Sequence, residues 1–231
     1  MDWRFVKMIK MSNKKTDKSK IKVRCFSISL DGYGAGLSQS LENPLGLRGT
    51  ELHTWMFPTK SFMKMIGRDG GTEGIDNDLV DKSFENIGAW ILGRNMFGPI
   101  RGNWTDEEWK GWWGEEPPYH VPVFILTHHE RKPITMKGGT VFHFVTDGIG
   151  SAMEKAKEAA AGKDIRIGGG VSTIRQFLQA GYIDEIQFSL TPIFIGSGEN
   201  LFSGIDVSKL GFNKIQRING EGATHFILTK E

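Results

Sequence analysis

The sequence predicts one α/β domain in which strands and helices alternate through most of the chain and strands dominate its end. Three observations predict it. Short apolar, β-favouring runs recur along the chain, each stopped by glycine or turn residues, and several feed a stretch of helical periodicity. No internal repeat or second-domain linker interrupts the 231 residues, a length that one large core can serve. The hydrophobic share of 39% and charged share of 24% are those of an ordinary globular chain, which argues against wholesale disorder. No apolar run approaches the roughly 18 residues that would span a bilayer, so membrane insertion is not expected.

The elements follow in order. Residues 22–30 carry Val23, Phe26, Ile28 and Leu30 and read as the first strand, stopped by Asp31-Gly32 and by Gly34 and Gly36. Residues 51–66 place Leu52, Trp55, Met56, Phe62, Met63 and Ile66 at largely helical spacing. Pro58 must kink that segment or divide it into two short helices. A glycine-rich loop over residues 68–77 leads to a helix predicted over 78–86. Residues 89–92 form a short apolar strand, followed at once by a glycine turn, Gly93-Arg94-Asn95, opening a helix. Residues 98–122 hold four tryptophans, Pro117-Pro118 and Tyr119, a composition too aromatic for a free linker. They read as an ordered surface loop that either covers a site or packs as a flap or dimer contact. Strands are predicted over 123–126 and 140–145.

Ser151 and Glu154 have the spacing of a capping box, predicting a helix that starts there and closes near Gly162. Ile165-Arg166-Ile167 is a strand running into Gly168-Gly169-Gly170, and Val171, Ile174, Phe177 and Leu178 lay an apolar stripe on the next helix, closed by Gly181. Residues 184–192, 213–218 and 223–229 read as three final strands.

The net charge of +2 is small. Much of it lies in residues 1–20, expected to be a disordered basic extension ahead of a domain over 21–231. The extension lacks the apolar core of a signal peptide. Neither a nucleic-acid nor a membrane partner is expected. The one cysteine, Cys25, can form neither an internal disulfide nor a cysteine zinc site, which fits a reducing cytoplasm, and it reads as a packing residue. His128 and His129 are adjacent in an extended run, so they point to opposite faces, and no third ligand lies at useful spacing. No metal is expected.

Two strand-to-helix junctions carry the chemistry. Helix N-termini at such junctions present unpaired amides to anions. At the first, Gly93 permits close backbone approach and Arg94 supplies a permanent cation with a planar donor fork. At the second, Gly168, Gly169 and Gly170 clear side chains from the backbone, and the amides of Val171, Ser172 and Thr173 with two hydroxyls can hold a pyrophosphate. Either cluster alone is also compatible with a tight turn. Together they imply a dinucleotide, although neither is a Rossmann fingerprint or a Walker loop.

The ordered series Ser29-Leu30-Asp31-Gly32, Leu92-Gly93-Arg94-Asn95, Leu126-Thr127, Ile167-Gly168-Gly169-Gly170 and Leu190-Thr191-Pro192 with Gly196-Ser197-Gly198 resembles the dihydrofolate-reductase-like superfamily. Within it the chain is similar to the reductase domain of the bifunctional riboflavin-pathway deaminase-reductase, over about residues 22–230. The resemblance implies a three-layer α/β/α fold with a mostly parallel central sheet and antiparallel C-terminal strands. It further implies NADPH as hydride donor, a homodimer, and a C=N or C=O bond of a small heterocyclic, pterin-like or pyrimidine-like substrate as acceptor.

By position, Gly93 and Arg94, with Asn95 beside them, would meet cofactor phosphates, Arg94 and Arg131 being the cations available to a 2′-phosphate. Thr127 and His128 would meet the adenosine end, and residues 169–173 the pyrophosphate. Asp31 would stand near nicotinamide and substrate as a catalytic or orienting group, while Asp-Gly is equally a turn-forming pair. Glu51 and His53 lie where a folate reductase places its carboxylate, without a clear match, so folate itself is not implied. One cysteine cannot supply the deaminase zinc site. The alternative is a nucleotide-binding module of the same fold with little or no turnover.

Overall fold

The computed structural model describes residues 19–98, 101–106 and 108–230. The predicted basic extension lies outside the described residues except for its last two. Among the described residues, no helix is long and apolar enough to cross a membrane.

The frame is a nine-stranded sheet. Its central strands are β1 (Ile21–Ser29), β3 (Ile87–Gly93), β4 (Pro122–Leu126), β6 (Val141–Val145), β7 (Asp164–Gly169) and β8 (Glu185–Thr191), with β5 (Ile134–Thr135), β10 (Lys214–Asn219) and β11 (Thr224–Thr229) outside them. The order is β10-β11-β8-β1-β7-β3-β4-β6-β5. The six central strands are mutually parallel, whereas β11, β10 and β5 pair antiparallel. The short β2 (Tyr33–Ala35) pairs with β9 (Glu199–Asn200) apart from the main sheet.

The sheet is covered on both faces, which is why β3 is buried at all seven positions and reads as an unbroken apolar run. On one face Ala89, Ile91, Ile165 and Ile167 pack against Met153 and Ala156 of α4 (Gly148–Ala160) and Ile174 and Phe177 of α5 (Val171–Gln179). On the other, Trp90, Leu92, Val123 and Ile125 pack with Phe97 and Tyr119 and with Trp104, Trp109 and Trp113 of the aromatic segment. Met65 of α1 (Lys60–Met65) and Val80 of α2 (Ile75–Lys82) line a space with Trp90 on this second side, while α3 (Arg94–Phe97) is a single turn after β3.

Pro58 does divide its segment. A 3-10 turn over Gly49–His53 precedes it, and α1 restarts after Thr59, whose hydroxyl accepts the Phe62 amide at 3.2 Å. The helix predicted over 78–86 begins earlier, at Ile75, because Gly74 at φ 134 ends the loop and Glu221 accepts the amides of Ile75 and Asp76. The predicted capping box does not form. Helix α4 starts at Gly148, so Ser151 lies inside the first turn and its hydroxyl meets Lys155 instead. The first strand carries a bulge, with Cys25 at φ 50. The two-residue edge strand β5 is too short to leave a periodic signal.

A buried polar chain ties the second layer to the sheet. Ser189 Oγ lies 2.9 Å from His225 Nδ1, and His225 Nε2 lies 2.7 Å from Asp76 Oδ1. His225 and Ser189 are fully buried, so this Ser-His-Asp set anchors α2 to β8 and β11 and is not open to a substrate.

Candidate functional site

The C-terminal ends of β3, β4, β6 and β7 open onto a cleft of about 370 Å³. Its walls include Gly93, Arg94 and Asn95 from the first predicted junction, Thr127 and His128 from the end of β4, and Gly170, Ser172 and Thr173 from the second. Residues up to 80 positions apart are thus brought together at the site that open α/β sheets offer to ligands.

The junctions touch through Gly93. A Cβ there would fall 2.3 Å from Thr173 Oγ1, so only glycine lets β3 lie against the start of α5. A Cβ on Gly170 would meet no atom within 4 Å, so the start of α5 is open there. Gly170 caps α5 without any side-chain hydrogen bond, leaving the first amides of the helix directed toward an anion site. The Gly169-Gly170 peptide is cis.

Arg94 crosses the cleft wall and donates from Nη1 to Thr127 Oγ1 at 3.0 Å. Its guanidinium lies over Trp104, 3.1 Å from the ring centre, and Arg131 stacks on the same ring at 4.8 Å. Arg94 Nε is buried without a partner. Burial, reinforced by the Arg131 charge, lowers the Arg94 pKa to about 10. A guanidinium held this way, next to a second one, is poised to receive an anion.

A second cavity, of about 340 Å³, lies on the other side of Gly170. Gln39, Asn95 and Gly170 line both spaces, and the Asn95 amide donates to Gln39 Oε1 at their shared wall. This cavity is aromatic and apolar, lined by Phe26, Phe57, Phe62, Phe84, Trp90, Trp113, Tyr119 and Met96, with Arg24, His53 and Arg166 among its few polar groups. Gly168 and Val171 face this space rather than the cleft. A Cβ on Gly168 would strike Leu92 at 2.3 Å, so its glycine serves packing between β7 and β3. Gly169 lies beside Phe26 and Met96.

The aromatic segment is ordered by its indole N–H groups. Trp104 donates to His129 O at 3.0 Å, Trp109 to Phe97 O at 2.8 Å and Trp112 to Asn95 O at 3.1 Å. It therefore buttresses α3 and the Arg94 corner, and Trp113 reaches the apolar cavity.

Asp31 is occupied elsewhere. Its Oδ1 accepts Ser29 Oγ at 2.5 Å and the Ile195 amide at 3.2 Å, and its Oδ2 accepts the Gly196 amide at 2.7 Å. Burial pushes its pKa up, but these hydrogen bonds outweigh that and hold it below the usual carboxylate range. It lines neither space described above. Sequence reasoning missed Gln39 and Arg166 as wall residues. The only available signal was the charge of Arg166 between two isoleucines, which marks a strand whose second face is buried.

The sheet order, the two covered faces and the cleft at the strand ends define a dihydrofolate-reductase-like α/β protein. The family profile of the RibD C-terminal domain matches residues 22–223, and the chain belongs to that family. It is 32% identical over 150 residues to the uncharacterized protein YyaP of Bacillus subtilis (strain 168), an alignment covering 63% of this chain and 71% of YyaP. Its fold is similar to that of a candidate riboflavin biosynthesis protein from Shewanella sp. PV-4, with TM-score 0.53 and 20% identity over 93% of this chain and 99% of the other. RibD of Acinetobacter baumannii is similar at TM-score 0.52 and 16% identity, over 93% of this chain. The chain spans 58% of that RibD.

Proposed function

We propose that this protein is an NADPH-dependent reductase that transfers a hydride to a C=N or C=O bond of a small, planar heterocycle. One observation carries the reading. Phosphate-binding residues predicted at two separate junctions converge on a single cleft, and that cleft shares a wall with an apolar cavity suited to a flat ring.

The donors fit the cofactor. The open start of α5 at Gly170, Ser172 and Thr173 would hold the pyrophosphate, Thr127 and His128 would flank the adenosine end, and Arg94 with Arg131 would take the 2′-phosphate. NADPH, when bound, supplies the hydride. The chain's own residues orient it along the cleft and keep water from the ring through the aromatic lining of the second cavity. Asp31 takes the structural alternative in this reading, anchoring the loop at residues 195–196. A homodimer and a cytoplasmic location belong to the same proposal.

The alternative, a nucleotide-binding module with little turnover, is favoured by one feature: none of the residues lining the cavity is Asp or Glu. Titration with NADPH, followed by tryptophan quenching and thermal shift, tests the cofactor site. Consumption of NADPH with a panel of pterins, ribosylaminopyrimidines, quinones and imines tests turnover. Binding with turnover is expected; binding without any turnover would select the alternative, and absence of binding would overturn both.

A further inference from the structure

Arg166 sits in β7 with its side chain on the face of Trp90 and Gly168, at the wall of the apolar cavity. It is only 7% exposed. Its Nη1 donates to Ser83 O at 2.7 Å and Ser83 Oγ at 2.8 Å, and its Nη2 to Arg24 O at 3.0 Å. The guanidinium lies 4.1 Å from the Trp90 ring centre and 5.1 Å from that of Phe84. Nε is buried without a partner.

Every one of these contacts is to a neutral group. Among the described residues no carboxylate pairs with Arg166, while the neighbouring Arg24 has its own in Glu185 at 2.5 Å. The ionisable groups that could offer it negative charge, Cys25 and Tyr119, are both pushed up by burial, Tyr119 to about 12, so neither supplies an anion at neutral pH. A buried cation with no counter-charge is costly unless something else completes it. Here the remaining neighbour is the cavity.

We propose that Arg166 is a specificity residue that takes an anionic or strongly polarised oxygen of a planar aromatic ligand in this cavity, so the site selects acidic ring systems over neutral isosteres. The proposal rests on the reading of this cavity as the acceptor site. The aromatic side chains of Trp90, Phe84 and Tyr119 line the cavity around it, and Arg166 supplies the one full charge there that no side chain neutralises among the described residues. Its bonds to Ser83 and Arg24 hold the guanidinium in place, so little order is lost when the ligand arrives.

The test uses 7-hydroxycoumarin and 7-methoxycoumarin, which share a ring and differ in whether the oxygen can carry charge. Binding to the full-length protein is followed by fluorescence, with NADPH titrated in the same preparations. The hydroxy compound is expected to bind about 10- to 150-fold more tightly than the methoxy one, the range of a charge-assisted hydrogen bond, with its excitation shifted to the anion band on binding. Arg166→Gln should remove both the preference and the band shift while NADPH affinity stays within about twofold, and Arg166→Lys should restore part of each. Equal binding of the two coumarins by the wild-type protein would overturn the proposal without any variant needing to fold. A preference that survives in Arg166→Gln would overturn the role of Arg166. NADPH binding without coumarin selectivity sinks this inference alone, whereas selectivity without NADPH binding sinks the cofactor reading alone.

Discussion

Replacing Arg94 with methionine separates the two things a cationic cleft wall can do. In the free protein Arg94 makes one neutral hydrogen bond, to Thr127, and stacks on Trp104. Those contacts contribute about 1 kcal/mol each. Against them stand burial and the repulsion of Arg131, which together lower its pKa to about 10 and so disfavour the charged form. The two sides nearly offset, and methionine keeps the apolar stem over Trp104. The stability of the free protein should therefore change by less than about 1 kcal/mol. With NADPH the balance differs, because a guanidinium–phosphate bond contributes about 1.5–3 kcal/mol, equivalent to roughly a 10- to 150-fold loss of affinity when removed. NADH lacks the 2′-phosphate and should lose no more than about threefold. Isothermal titration of both nucleotides with both proteins, beside urea midpoints, gives all four affinities and the stability difference. Equal losses for NADPH and NADH would refute the 2′-phosphate assignment and move Arg94 to the shared pyrophosphate. No loss for either would remove Arg94 from the cofactor site.

Two further outcomes are expected. Gly93→Ala puts a methyl 2.3 Å from Thr173 Oγ1, so it should destabilise by about 1–3 kcal/mol and weaken NADPH binding, and adding Thr173→Ala should return at least half of the lost stability in a double-mutant cycle; additivity of the two changes would show that the junctions do not touch as described. His53, at the apolar cavity, has its pKa lowered to about 4 by burial, which the Gly49 backbone only partly opposes. The depressed value means the unfolded chain takes up the proton first, so stability is full above the unfolded pKa near 6.5 and falls as pH drops toward 4. At pH 5 the loss from this one group is about 2 kcal/mol, and urea midpoints at pH 7 and pH 5 should show that much more acid sensitivity in the wild-type protein than in His53→Leu.

The central strands were legible because each is buried on one or both faces, and a buried strand has little choice but an apolar, β-favouring run. The cleft itself was legible for a related reason. Gly93 is needed where β3 meets the Thr173 hydroxyl at the start of α5, and such a glycine is written locally in the chain. Helix starts were read less well where the chain used glycine geometry instead of side-chain caps: Gly148 at φ 90 opens α4 before the Ser151 pair that looked like its cap. The apolar cavity was not legible at all. Its walls come from β1, the segment around Pro58, α2, β3, the aromatic segment and β7, and no local pattern announces a space that only the packed fold creates.

The strand β7 joins the two halves of the site. Side chains two apart on a strand share a face, so Arg166 and Gly168 look into the apolar cavity while Ile165 and Ile167 look into the core beneath α4 and α5. Two residues beyond Gly168 the chain reaches Gly170 and the open amides of α5. In the proposed reading one short run carries a buried cation for an acceptor and a helix N-terminus for a nucleotide, in that order along the chain. A turn that merely connected β7 to α5 would need the glycines but would have no use for an uncompensated arginine two residues earlier. In a two-ligand site both features have a physical reason, because each answers negative charge brought by a different molecule to adjoining spaces.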